Sequence, residues 1–290
     1  MKLLPVPALD AMVMTMVVLL SLSAQVQADP NQRLPKRMET HHLSLSHKSL
    51  PIVPAFPGPE TQNLSSITSD HRHTIYSHNW AGVALLNSAL PSTPILTSVA
   101  ATITVPIPTS SATNVQAASS WVGIDGFVNT AAILQTGIDI VAFQGEEARY
   151  KAWYEWYPDP AIHLDLAIEA GDVIIMAVYS TSALTGVTII QNESTGQSTT
   201  VTVSAPHSTA TLTGQSVEWI VEDYQSGGSR VSFLDFGTVN FTGTVARAIG
   251  NQTFGAGGDG AVIVDMIMDN GSIVAEANIV GSSGVAVTHS

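Results

Sequence analysis

Cysteine is absent from all 290 positions of the chain. Disulfides and thiolate nucleophiles are thereby excluded, and stability has to come from a packed core, which a chain of this size can supply. Positive charge is scarce over most of the length. Six of the ten Lys and Arg precede Tyr76, which leaves four against eighteen of the twenty-three Asp and Glu, a formal −14 from Tyr76 onward within a whole-chain value of −13. So acidic a body repels nucleic acid and anionic membranes, and neither is expected as a partner. It suits work at low pH, where protonation lowers self-repulsion. Long apolar runs are also missing beyond the N-terminal region, and a membrane anchor needs about 20 such residues.

One short apolar run is present, from Ala11 to Leu22, with Lys2 before it and Val26-Gln27-Ala28 after it. It reads as a secretory signal spanning residues 1–28, so the protein is expected to be secreted and extracellular. Five Asn-x-Ser/Thr sequons, at Asn63, Asn192, Asn240, Asn251 and Asn270, read as surface loops carrying glycan in a glycosylating host. Residues 29–75 differ in kind from the rest of the chain, being Pro-rich, basic, and bearing His41, His42, His47, His71 and His73. They show no amphipathic period and are read as a propeptide that docks on the acidic body and inhibits it.

From residue 76 to 290 the chain reads as one all-β domain. Val, Ile and Thr alternate with small or polar residues between Gly-, Asn- and Ser-rich turns. Strands are expected at Leu96 to Val105, Trp121 to Asp125, Ala132 to Ile138, Arg149 to Tyr157, Val173 to Tyr179, Gly186 to Gln191, Thr199 to Val203, Glu218 to Tyr224 and Ala261 to Met268. Many short strands without alternating helices imply an antiparallel β-sandwich of the concanavalin or jelly-roll kind.

Several hydrolytic motifs are missing: there is no Asp-Thr/Ser-Gly, no Gly-x-Ser-x-Gly and no His-Glu-x-x-His. With His78, His163, His207 and His289 the only histidines beyond Tyr76, neither a Ser/His/Asp triad nor a histidine metal site is easily built. What the strands do carry is a polar and aromatic face, read off by period-2 spacing. Trp121 and Asp125 share a face, as do Gln135 and Asp139, then Trp153, Glu155 and Tyr157, then Glu218, Glu222 and Tyr224. Spacing alone leaves two meanings open, a solvated sheet face backed by ordinary core tryptophans or a substrate cleft.

Six blocks in order carry a resemblance: Asn79-Trp80-Ala81-Gly82, Trp121 to Gly126, Ala132 to Gly137, Tyr150 to Pro158, Thr195-Gly196-Gln197 and Glu218 to Asp223. From about residue 77 to the C-terminus the chain resembles the glutamic peptidases, or eqolisins. The resemblance implies a two-sheet sandwich, a signal and a propeptide, acid endopeptidase activity on polypeptides, and a Gln/Glu dyad that works without cofactor or metal. The family glutamine falls on Gln135 and the glutamate on Glu222, with Glu218 on the same face as a second candidate. In this scheme Glu222 takes a proton from water and Gln135 stabilises the tetrahedral oxyanion. Asp125, Asp139 and Glu155 form a supporting carboxyl network, Trp80, Trp121 and Trp153 wall the cleft, and the enzyme acts as a monomer. Two further readings stand beside it, a carbohydrate-binding sandwich and a glycoside hydrolase using Glu155 or Glu222 with a second carboxylate.

Overall fold

The computed structural model describes residues 45–55, 73–109 and 114–290. The segment read as a signal, most of residues 29–75 and the sequon at Asn63 lie outside the described residues. Residues Leu45–Ser290 form one compact unit.

Nineteen strands occur among the described residues: β1 (His73–Ser77), β2 (Trp80–Leu86), β3 (Leu96–Thr104), β4 (Gln116–Ile124), β5 (Ile133–Ala142), β6 (Arg149–Tyr157), β7 (Ile162–His163), β8 (Val173–Ser182), β9 (Thr185–Asn192), β10 (Gln197–Ser204), β11 (Ser216–Glu222), β12 (Gln225–Ser226), β13 (Ser229–Arg230), β14 (Ser232–Phe233), β15 (Thr238–Ala248), β16 (Thr253–Phe254), β17 (Ala261–Ile267), β18 (Ile273–Val280) and β19 (Gly284–His289). β12 and β13 form a small sheet of their own, and the main strands form two layers. The first runs β1-β17-β2-β11-β4-β5-β6-β7. The second runs β18-β19-β15-β3-β8-β9-β10 and joins the first through a short β17–β18 pairing. The expected sandwich is therefore present, and almost every pairing is antiparallel. Two pairings depart from that rule: β14 lies parallel to β4, and β1 lies parallel to β17. Residues 78–260 separate β1 from β17, so no hairpin dictates their direction.

Alternation decides which side chains meet between the layers. Leu85, Val122, Leu134 and Trp219 from the first layer share a buried cluster with Val99, Ile103, Met176 and Phe241 from the second. The opposite face of the first layer buries a smaller cluster of Trp80, Trp121, Trp153, Ile133, Ile220 and Val264. It also carries Gln135, Asp139, Glu155, Glu218 and Glu222, as period-2 spacing requires.

One surface expectation is corrected. Asn192 is buried at the end of β9, and its amide donates to the Ala167 carbonyl and to Asp172 Oδ2. It is a structural amide that ties the end of β9 to the Ala167–Asp172 stretch, and it does not stand in a surface loop. Asn240, Asn251 and Asn270 are exposed, Asn240 on β15 rather than in a loop.

Candidate active site

The outer face of the first layer is assembled around β4. Its neighbours are β5 and β11, so β4 sets the distance between Gln135 and the two glutamates of β11. Two glycines make this possible. A Cβ on Gly123 would come within 2.9 Å of the Trp121 ring and 3.1 Å of Gln135 Cβ, so the indole leans across the empty position. A Cβ on Gly137 would strike the Ser120 carbonyl and lie 2.6 Å from Trp121 Cβ. Held in this way, the Trp121 indole N–H donates to Glu222 Oε2 at 2.9 Å.

Gln135 pairs across the strands with Glu155, and its Nε2 donates to Glu155 Oε1 at a long 3.4 Å. Gln135 Oε1 is buried without a partner among the described residues, so this amide is only loosely committed. Glu155 and Glu222 are near enough to repel one another. Burial pushes the Glu155 carboxyl well above the usual range, and the nearby charges of Glu222 and Asp139 push it further. Burial raises Glu222 as well, opposed by the His47 charge, the Leu50 N–H, the Ser49 hydroxyl and the Trp121 N–H.

Residues 45–55 cross this face in extended form. The Ser49 N–H donates to Glu155 Oε2 at 3.1 Å, and the Leu50 N–H donates to Glu222 Oε1 at 3.1 Å. His47 is fully buried, with Nδ1 2.6 Å from Asp139 Oδ1, and its ring stacks on Tyr224 at 4.2 Å. The other oxygen of Asp139 meets His163 Nε2 at 3.1 Å. Burial alone would raise Asp139, but the two histidines outweigh it and hold this carboxyl below the usual range.

The remaining expected residues divide. Trp153 packs against the His47 ring at 4.3 Å, and Trp80 meets Trp121 edge-on at 5.0 Å, so all three tryptophans line the covered face. Asp125 makes no hydrogen bond to Gln135 or Glu222 and is taken up elsewhere. With a φ of 65°, it accepts backbone N–H groups from Thr213, Gly214 and Gln215 and the amide of Asn129. Its work is to fasten that loop. Glu218 is buried with no well-formed hydrogen bond to either oxygen among the described residues, and burial raises it well above the usual range, opposed by the nearby Ser216 hydroxyl and helped by repulsion from Asp125. Sequence reasoning missed the roles of His47, Ser49, Asn79, Tyr224 and His163. Asn79 and Tyr224 stand in or beside the six blocks; the others carry no local signal. Among the described residues no group of three His, Asp or Glu is arranged to hold a metal ion.

A face on which two buried carboxyls, one of them beside an amide, accept from consecutive backbone N–H groups of a crossing segment has the features of a peptide-bond hydrolase. The sequence profile of the Peptidase A4 family matches residues 78–289. This chain belongs to that family. Aspergillopepsin-2 from Aspergillus niger is 34% identical over 286 residues, covering 92% of this chain and 95% of the relative. Scytalidopepsin B from Scytalidium lignicola is 34% identical over 200 residues, covering 66% and 71%. Among solved structures, scytalido-glutamic peptidase with a transition state analog inhibitor is 29% identical with a TM-score of 0.63, over 73% of this chain and 98% of that one. Aspergilloglutamic peptidase from Aspergillus niger is 41% identical with a TM-score of 0.55, over 60% and 99%. The Peptidase A4 chain described here is thus an eqolisin-type glutamic peptidase that hydrolyses peptide bonds.

Proposed function

We propose that this enzyme is a secreted acid endopeptidase in which Glu222 and Gln135 carry out the hydrolysis. The observation that supports the assignment most is the backbone at Ser49 and Leu50, whose amide nitrogens meet Glu222 and the Glu155 that Gln135 also contacts. Ionised Glu222 takes a proton from water as the oxygen attacks the carbonyl carbon. The Gln135 amide donates to the oxyanion that forms, and protonated Glu222 then delivers its proton to the departing nitrogen. The His47 charge, the Leu50 and Trp121 N–H groups and the Ser49 hydroxyl favour the ionised Glu222 that the first step needs, and burial favours the protonated form that the last step needs. Glu155 orients Gln135, and Trp121 orients Glu222.

Residues 29–75 act in this reading as an inhibitory propeptide, following a signal at residues 1–28. Support comes from residues 45–55, which cover the carboxyls and supply them with hydrogen-bond donors. Asn240, Asn251 and Asn270 are the sites open to glycan.

The test is hydrolysis of denatured casein at acid pH by the matured enzyme. Glu222→Gln should lose about 10²–10⁴ of the rate, the usual contribution of a general base. Gln135→Ala should lose about 10²–10³, the usual cost of one oxyanion donor. Near-normal turnover by a folded Glu222→Gln protein removes the assignment.

A further inference from the structure

We infer that the first bond this enzyme hydrolyses is its own Ser49–Leu50 bond, within the same molecule. The inference rests on the reading of Glu222 and Gln135 given above, and adds to it the enzyme's first substrate.

The grip on the segment lies on both sides of that bond. On the N-terminal side, Lys48 exchanges two backbone hydrogen bonds with Gln225, at 2.9 and 3.0 Å, and the His47 carbonyl accepts from the Ala161 N–H at 3.0 Å. On the C-terminal side, the Ile52 N–H donates to the Gly126 carbonyl at 3.1 Å. The Asn79 side chain spans three positions, donating to the Leu50 and Pro51 carbonyls and accepting from the Val53 N–H. Side chains add two anchors. His47 is seated between Asp139 and Tyr224, and Ile52 is buried in the cluster that holds Trp80, Trp121 and Phe127. A peptide held by its main chain and by side chains flanking one bond is held as a strand-like substrate is held.

Chemistry then selects among the neighbouring bonds. The leaving nitrogen must lie where Glu222 can protonate it. Leu50 N meets that condition at 3.1 Å. The preceding amide nitrogen, that of Ser49, rests on Glu155 instead. The next bond along, Leu50–Pro51, is a tertiary amide with no N–H to orient on a carboxylate. In the step itself, water adds to the Ser49 carbonyl carbon and gives one proton to Glu222. The C–N bond breaks, the proton on Glu222 passes to Leu50 N, and the products are a carboxyl on Ser49 and an amine on Leu50. No other reactant is needed.

The experiment uses the full chain kept at neutral pH and then brought to about pH 4, in the carboxylate range. New N-termini are identified by mass spectrometry at early times and at two protein concentrations, with a casein digest run alongside. Leu50 should be the earliest new N-terminus, its appearance should follow one first-order rate at both concentrations, and the Glu222→Gln chain should not produce it. Leu50→Pro should abolish the cut at this position. His47→Ala keeps the bond but loses the anchor, and should slow the same cut about tenfold, the factor that 1.4 kcal/mol of lost binding gives. An earliest cut elsewhere, a rate that rises with concentration, or undiminished cutting of the Leu50→Pro chain overturns the inference. If casein is digested while Ser49–Leu50 stays intact, the inference falls and the dyad stands; if neither is cut, both fall.

Discussion

On β11 two buried carboxyls, Glu218 and Glu222, share a face and differ in company. Glu222 receives the Trp121 indole and the Leu50 N–H, whereas Glu218 has only the Ser216 hydroxyl nearby and no well-formed hydrogen bond among the described residues. A buried carboxylate without donors is too costly to keep ionised, so Glu218 holds its proton well into the range where ordinary glutamates have lost theirs. Glu218→Gln replaces one neutral group by another of the same shape. It should leave casein hydrolysis within about tenfold of wild type, a difference of less than about 1.4 kcal/mol in barrier. A loss as large as that of Glu222→Gln would transfer the catalytic role to Glu218. The same contrast shows what spacing conveys: period 2 puts both glutamates on one face, but which of them receives donors depends on Trp121 and on Leu50, the latter 172 positions from Glu222. Relations of that length leave no trace in a local pattern.

Among the elements, β4 and β5 carry the site because two glycines let their side chains close over the strands. Gly137→Ala would drive a methyl into the Ser120 carbonyl and the Trp121 side chain, forcing β5 away from β4. Overpacking of this kind typically costs about 1–3 kcal/mol. The variant should melt lower in calorimetry, and it should lose activity beyond its loss of stability, since Trp121 no longer reaches Glu222. Unchanged melting and unchanged activity would mean that the sheet opens freely there. Strand legibility obeys the same physics. β6, one face of which packs inward, is legible to its observed limits because its residues alternate. β2 is not, because all seven of its residues are buried and no polar position marks its period. β15 escapes because register shifts at Thr242/Val245 and Arg247/Ala248 break its alternation. Residues 45–55 carry only the composition of a propeptide; their seat on the cleft is written in the residues they meet.

At the scale of the whole molecule, buried carboxyls set the response to pH. Glu155, Glu218 and Glu222 are raised, and burial pushes Asp223 up to about 7 against the pull of Arg230. Only Asp139 on this face is shifted down, by its two histidines once they outweigh burial. A raised carboxyl keeps its proton in the fold after the unfolded chain has released it, so stability falls as pH climbs from about 4 toward 7, at about 1.4 kcal/mol per pH unit for each such proton. The lowered Asp139 acts oppositely, adding stability above the ordinary aspartate pKa near 3.9 that is lost as pH falls through its folded value. Raised groups outnumber it, so the urea midpoint should be higher at about pH 4.5 than at about pH 7. A midpoint that rises toward neutrality would show that the buried carboxyls are ionised and paired instead.

The parallel seat of β1 on β17 bears on how the chain is made. His73 meets Val262, and β2 completes its pairing only when both β11 and β17 are present. Contacts this distant in sequence close slowly, because a long loop must be ordered before any of them forms. A chain emerging from its N-terminus therefore has no finished first layer until nearly its whole length has been delivered. Trp80 borders Glu222 across the β2–β11 pairing, so that part of the cleft appears late in synthesis. A growing chain is harmless to its neighbours simply because it is incomplete, and that protection needs no inhibitor.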